Sequence, residues 1–379
     1  MRSLIPLLLL AACSAGGEAA ESNAEAATQA GGGRPFTVRQ ITIFDEPWAM
    51  AVLPGPGQRA LITEKKGKLK LLWSEVGRVG DVAGAPKVDY GGQGGLGDVV
   101  LHPGFARNRL VYLSWVEAGQ SGNRGAVVGR ARFVEDGGRP RLEGLQVIYR
   151  QSPKLGGKGH YGHRIAFGPD GKLYISNGDR QEFTPAQDMS GNLGKIVRLN
   201  DDGSVPADNP FASRGGVTAQ IWSLGHRNPL GIAFDASGRL WDIEMGPKGG
   251  DELNLVERGK NYGYPIVSNG DHYDGKDIPD HRTRPEFAAP RVSWTPVISP
   301  GNMIFYSGSA FPAWRGDILV AGLSSKALIR VDVNGANARE AERWDMGKRI
   351  REVEQGPGGS VYLLEDGEGG RLLKLTPAR

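Results

Sequence analysis

The sequence predicts an all-β chain folded as a six-bladed β-propeller. Two observations point there. Strand-like runs alternate with Gly, Pro and Asp turns from residue 36 to residue 377, with hardly a segment of 3.6-residue period. The turns and strands also recur as similar units. Pro54-Gly55-Pro56-Gly57 precedes Arg59–Glu64, and Gly168-Pro169-Asp170-Gly171 precedes Lys172–Ser176. Asp235-Ala236-Ser237-Gly238 precedes Arg239–Ile243, and Gly356-Pro357-Gly358-Gly359 precedes Ser360–Leu364. Each unit is a tight turn feeding an alternating or apolar strand, the signature of a hairpin.

Repeated hairpin units over several hundred residues are how propeller blades read in sequence, although a pair of sandwiches or a β-helix would use the same units. A blade takes roughly 40–60 residues. The stretch 35–379 therefore allows six to eight blades, and the spacing of the units favours six. The chain's 58 glycines and 24 prolines fit so many turns, and no G-x-y period suggests collagen. A propeller gathers loops from every blade around one channel, so function is expected on that rim.

The first residues form a separate unit. Arg2 precedes a short apolar run, Leu4–Ala12, which ends at Cys13. The run is too short to cross a bilayer and reads as the core of a signal peptide. Leu10-Ala11-Ala12-Cys13 resembles a bacterial lipobox, which implies cleavage before Cys13 and lipid on its sulfur. Cys13 is the chain's one cysteine and so has no disulfide partner. The alternative is a plain secretory signal that discards it. Residues 14–34 are rich in Ala, Gly, Glu and Ser without hydrophobic period and read as a flexible tether. The expectation is an exported, periplasmic protein held by lipid to the bacterial (outer) membrane.

The formal charge is +4. No run of five Lys or Arg and no nucleic-acid motif accompanies it, so nucleic acid is not expected as a partner. A few arginines around an anionic small molecule account for the balance.

Polar residues too specific for turns cluster in six places. Gly91–Asp98 places Gln93 in a glycine-rich loop, where backbone can approach a ligand. His160-Tyr161-Gly162-His163-Arg164 offers a base suited to proton abstraction near neutral pH, with His163 read as structural. Arg227-Asn228-Pro229 can present a cationic fork and an amide to a carboxylate or quinone oxygen. Glu244–Asn254 and the following Gly259–Pro265 combine adjacent Asp251 and Glu252 with Gly-Pro backbone, the oxygen donors calcium prefers, though not in an EF-hand pattern. Trp294, before Thr295-Pro296, could stack on a planar cofactor or pack in the core. Arg349 and Arg351 share one face of a strand and invite an anion with several carboxylates. Taken singly, each cluster is equally at home in a turn, a core or a solvated face.

Their order along the chain is specific. It resembles that of the soluble quinoprotein glucose dehydrogenases, and more closely the aldose sugar dehydrogenases of that family, over about residues 36–377. The strongest stretches are His160–Asp179, Gly225–Pro229 and Glu244–Pro265. The resemblance implies a six-bladed propeller that carries pyrroloquinoline quinone (PQQ), a planar tricarboxylate with an ortho-quinone, on the channel rim. It implies oxidation of aldose sugars at the anomeric carbon to lactones, with electrons passed to a periplasmic acceptor, a quinone or a cytochrome. By position, His160 matches the catalytic base. Gln93, Arg227, Asn228, Arg349 and Arg351 match contacts to PQQ, and Trp294 the aromatic beside it. The carbonyls of Gly246 and Pro247 match ligands of a calcium bridging PQQ and protein, while Asp251, Glu252 and Tyr262 match a second, structural calcium site.

Three departures stand out. Ser324 takes the place of a usual PQQ-binding lysine, with Lys326 two residues on. Met245 stands where Gln or His is common, and Gly159 replaces an Asp before the base. Ser324 and Met245 motivate an alternative, a non-catalytic propeller that binds a sugar or protein. A calcium-dependent lactonase-type propeller is a third.

Overall fold

A computed structural model describes residues 33–378. The apolar run Leu4–Ala12, Cys13 and nearly all of the tether lie outside the described residues.

The described residues form six four-stranded antiparallel sheets. The innermost strands are Pro47–Val52, Leu96–Leu101, Gly162–Phe167, Pro229–Phe234, Pro300–Phe305 and Ile350–Gln355, in blades one to six. Each touches the next, and the sixth touches the first, so the ring is closed. The expected six-bladed propeller is the fold. The first strand, Phe36–Asp45, belongs to the last blade. It pairs antiparallel with Glu368–Pro377 and supplies the outermost strand there, so both ends of the chain close one sheet.

Blade strands bury both faces, which explains their apolar runs. Alternation along a strand sends neighbours to opposite interfaces. Val111 and Leu113 pack with Trp48 and Leu61 against the first blade, whereas Tyr112 packs with Ile165 and Ile175 of the third. Ile318 and Val320 join Trp241 and Leu253 of the fourth blade; Leu319 and Ala321 join Val353 and Leu363 of the sixth. Each interface between successive blades holds its own cluster, and truncating one such Leu to Ala costs about 2–5 kcal/mol.

Arg164 is the hub of the ring. From the third blade it reaches the innermost strands of the other five. It stacks 3.9 Å from the Trp48 ring, and its Nε donates to the Leu230 carbonyl at 2.7 Å. Its terminal nitrogens bond the Gly301 carbonyl at 2.6 Å and meet Asp98 at 3.3 Å and Glu352 at 2.9 Å. Burial pushes the Glu352 carboxyl well up despite this guanidinium. The functional loops lie at one mouth of this filled channel.

Candidate active site

His160 sits in a restrictive environment. It is buried and held at φ 47°. Its Nδ1 lies 2.7 Å from Asp179 Oδ1. Asp179 also accepts the backbone N–H groups of Gln181 at 2.9 Å and Phe183 at 3.3 Å. An acceptor-only carboxylate assigns the proton to Nδ1, which leaves a lone pair on Nε2. Nε2 has no protein partner among the described residues. Burial lowers the His160 pKa; Asp179 opposes this, and the Arg227 charge adds to it. The ring is therefore a free base at neutral pH. Gln93 Oε1 accepts the His160 N–H at 2.7 Å, so this glutamine positions the base as well as facing the cavity. Arg180 braces the loop from below, with Nε on the Gly159 carbonyl at 2.9 Å and its guanidinium 4.0 Å from the Tyr161 ring. Gly178 is required where it stands, since a Cβ there would collide with the His160 carbonyl and approach Asn228 Oδ1 to 2.8 Å.

Arg227 and Asn228 are set by Glu244. Its Oε2 accepts their backbone N–H groups at 2.5 and 3.2 Å, while Oε1 meets His226 Nδ1 and Asn254 Nδ2, both at 3.1 Å. His226 is also 3.0 Å from Asp242, and its Nε2 is 2.8 Å from Ser223 Oγ. Burial alone would lower the His226 pKa, but the Asp242 and Glu244 carboxylates override it and raise it to about 10. The donor atoms of His226, Asp242 and Glu244 sit as close together as metal ligands do. Both Asp242 oxygens are buried without a hydrogen-bond partner, and the charge of the His226 imidazolium is what faces them. The Arg227 guanidinium donates to the carbonyls of Met245 at 2.9 Å and Gly246 at 2.6 Å. Its Nε is buried without a partner. Asn228 Oδ1 accepts the Gly162 N–H at 3.2 Å, tying this turn to the loop of the base.

Beside these residues lies a cavity of about 250 Å³ that includes Gln93, His163, Met245, Arg349 and Arg351. Arg349 Nε and Arg351 Nε both donate to Asp366, at 2.9 Å each. Lys65 completes the lining, with Nζ 3.1 Å from the Gly92 carbonyl and 3.9 Å from Glu46. Three cations thus face two carboxylates, Glu46 and Asp366, and the cavity favours an anion. Sequence reasoning missed Lys65, because Glu64-Lys65-Lys66-Gly67 reads as an ordinary hairpin turn. His163 is neutral, its pKa lowered to about 3 by burial and by Arg164, and it bonds Ser114 and stacks on Trp48. Ser324 Oγ donates to the Val297 carbonyl at 3.1 Å, and it is Leu323 that lines the cavity there.

The expected calcium residues are divided among different tasks. Gly246, Pro247, Glu252 and Tyr262 border a smaller cavity with Arg227 and Tyr264. Asp251 and Glu252 are adjacent in strand Asp251–Val256, so their side chains leave on opposite faces. Asp251 fastens loops: its oxygens accept the N–H groups of Gly246 at 2.8 Å, Ile298 at 2.8 Å and Ser299 at 2.6 Å. Burial raises its pKa to about 6 against these bonds. Glu252 faces His281, whose Nε2 is 3.2 Å from Oε1. The Tyr262 hydroxyl is turned away, donating to the Leu255 carbonyl at 2.6 Å and accepting the Glu257 N–H at 2.9 Å. Of the three side chains, Glu252 is the one that presents free oxygen to the small cavity.

Trp294 is not brought to either cavity. It ends strand Val292–Trp294, the outermost of the fourth blade. Its ring packs with Trp241 and Met303, and its indole N–H donates to Glu340 at 2.6 Å on the outermost strand of the fifth blade. The packing reading of this tryptophan is the one the structure shows.

Residues 44–374 match the family described as Glucose / Sorbosone dehydrogenase. The chain is 40% identical over 341 residues to the aldose sugar dehydrogenase YliI of Escherichia coli, covering 88% of this chain and 91% of the relative. A crystal structure of a glucose dehydrogenase, 42% identical, superposes with a TM-score of 0.85 over 90% of this chain and 100% of that one. The PQQ-bound form of an aldose sugar dehydrogenase from Streptomyces coelicolor, 28% identical, has a TM-score of 0.73 and covers 90% and 98%.

Proposed function

The chain belongs to the glucose/sorbosone dehydrogenase family, and from that premise we propose that it oxidises aldose sugars at the anomeric carbon to lactones, with PQQ and calcium. The observation that carries the reading is His160: a buried, neutral imidazole, proton fixed on Nδ1 by Asp179, its Nε2 free and its backbone N–H bonded to Gln93 of a cation-lined cavity.

The residues present fit a planar polycarboxylate. In the larger cavity Lys65, Arg349 and Arg351 supply charge and Gln93 an amide, while at the smaller one Arg227 Nε is a buried donor without an acceptor. For calcium, the Gly246 and Pro247 carbonyls and Glu252 are the oxygen donors at hand. Bound there, PQQ supplies the hydride acceptor and calcium the Lewis acid that polarises its quinone. The chain's own share is orientation and proton transfer. His160 Nε2 takes the anomeric hydroxyl proton, and Asp179 stabilises the imidazolium that results. Arg227, pinned through Glu244, keeps its cation where negative charge develops. Burial of the base excludes water from this step.

Reconstitution of the purified protein with PQQ and calcium, followed by dye reduction over an aldose panel, tests the reading. Saturable PQQ absorbance and sugar-dependent reduction are expected; silence on every aldose refutes it. His160→Ala is expected to bind PQQ normally and lose turnover by about 10²–10⁴-fold. The same proposal includes export, lipidation at Cys13 and a periplasmic quinone or cytochrome as electron acceptor. Metabolic labelling with a radioactive fatty acid, lost in Cys13→Ser, tests the anchor.

A further inference from the structure

His163 sits in the layer where the large cavity meets the filled channel. Trp48, His163, Leu230 and Arg351 are each the second residue of an innermost strand, and all four border the cavity. A bulge delivers the His163 ring to this layer. Strand register slips between Gly162 and Ile165, and His163 stands inside the slip at φ 57°, a costly backbone position for a residue with a side chain. The ring stacks on Trp48 at 4.9 Å, and a Cβ on Gly97 would collide with its Nδ1–Cε1 edge. Ser114 settles the tautomer. Its Oγ accepts the Asp98 N–H at 2.8 Å and lies 2.7 Å from His163 Nδ1. Ser114 is fully buried, and its hydroxyl has no other acceptor among the described residues. A proton on Nδ1 would strand that hydroxyl, whereas a bare Nδ1 accepts it and leaves both groups paired. The imidazole proton therefore lies on Nε2. Nε2 bonds no protein atom among the described residues and is not sealed from solvent. With 2% of the residue exposed, this edge is what His163 shows the cavity. Burial and the charges of Arg164 and Arg351 keep the ring uncharged, so Nε2–H is a neutral donor.

We propose that His163 is a cofactor-binding residue, its Nε2–H donating to a carboxylate oxygen of the polyanion gathered by Lys65, Arg349 and Arg351. The inference rests on the PQQ reading of this cavity. A carboxylate has two oxygens to offer, one for the Arg351 guanidinium and one for the imidazole in the same layer. A neutral donor adds binding without adding a like charge to cations that already crowd one cavity. The bond to Ser114 and the stack on Trp48 then serve to aim the donor, and the structural reading of His163 covers only one edge of its ring.

Nitrogen-15 NMR of histidine-labelled protein reads the tautomer before any ligand is added. The His163 signals, identified by their loss in His163→Asn, are expected to show a proton on Nε2 and a bare Nδ1. Titration with PQQ, or with trimesate as a redox-inert planar tricarboxylate, is expected to move the Nε2 proton downfield. Two variants separate contact from scaffold. In His163→Asn the amide oxygen takes the place of Nδ1 and keeps the Ser114 bond, on a backbone conformation that asparagine tolerates. This variant is expected to bind both anions about tenfold or more weakly. The longer amide of His163→Gln reaches to where Nε2 stands, and its affinity is expected to stay within about threefold of the native chain. A proton found on Nδ1, an Nε2 signal unmoved at saturation, or equal affinities of the Asn and Gln variants overturns the proposal. If trimesate binds through His163 and PQQ does not, the cofactor reading fails and the carboxylate contact stands; if neither anion binds, both fall.

Discussion

Asp179→Asn isolates the charge behind the base. Asp179 Oδ1 accepts from His160 Nδ1 at 2.7 Å and Gln181 N at 2.9 Å, and Oδ2 from Phe183 N at 3.3 Å. An asparagine oxygen in the Oδ1 position keeps the two short bonds and turns its NH₂ toward the longest. The flipped amide sets NH₂ against two donors, one hydrogen bond worse, or about 1 kcal/mol. The productive tautomer therefore survives, and what disappears is the charge-assisted bond to the imidazolium, about 1.5–3 kcal/mol. At about 1.4 kcal/mol per tenfold, kcat is expected to fall about 10- to 150-fold. Asp179 raises the His160 pKa against burial and Arg227, so its loss lowers that pKa further. The acid limb of the kcat profile should move to lower pH. Dye-reduction kinetics across pH, with a PQQ titration to show that binding is intact, give both numbers. A kcat within twofold of the native value, or an acid limb moving to higher pH, refutes the assignment of Asp179.

Three further outcomes follow from the same geometry. Lys65→Ala should weaken PQQ binding about tenfold or more, the cost of one charged hydrogen bond, while Ser324→Ala leaves it nearly unchanged; absorbance titration separates them. Arg164→Leu strands Asp98 and Glu352 in the channel and should cost about 3–5 kcal/mol, read by denaturant unfolding. His226 has a folded pKa near 10 against an ordinary 6.5, so its stabilisation is complete below about pH 6.5 and fades as pH rises through about 10. Thermal melts should fall across that window by up to about 1.4 kcal/mol per pH unit, and His226→Gln should flatten the slope.

The fold was legible because a propeller is built from a local unit. Turn, apolar strand and turn recur in sequence, and alternation within each strand serves two interfaces, as at Val111-Tyr112-Leu113. Blade closure was not legible: nothing near Phe36 announces that it pairs with Pro377 at the other end of the chain. The same split runs through the site. His160, Gln93, Arg227-Asn228 and Arg349/Arg351 announce themselves by residue type; in the structure Gln93, Arg349 and Arg351 line one cavity, Gln93 bonds the His160 N–H, and Asn228 bonds the loop of the base. Trp294 has the right chemistry, but sequence does not say how far out in its blade a strand lies. The opposed faces of Asp251 and Glu252 were readable in principle, since neighbours in a strand diverge. Asp179 and Glu244 act by fastening other residues, a role visible only once their partners are in place.

Ser324 shows how the two levels correct each other. Read along the chain, it is a lost cation and an argument for a cavity that no longer holds PQQ. Electrostatics depends on where charges sit, and not on which strand delivers them. Lys65 enters the cavity from the first blade, which adjoins the sixth blade that carries Arg349 and Arg351. Its pKa is lowered by burial, with Arg351 adding to the effect and Glu46 opposing it. A desolvated ammonium held beside a guanidinium is unfavourable in isolation, and a bound carboxylate relieves both terms at once. The cation that Ser324 does not supply has a counterpart in Lys65, at a different point of the same lining.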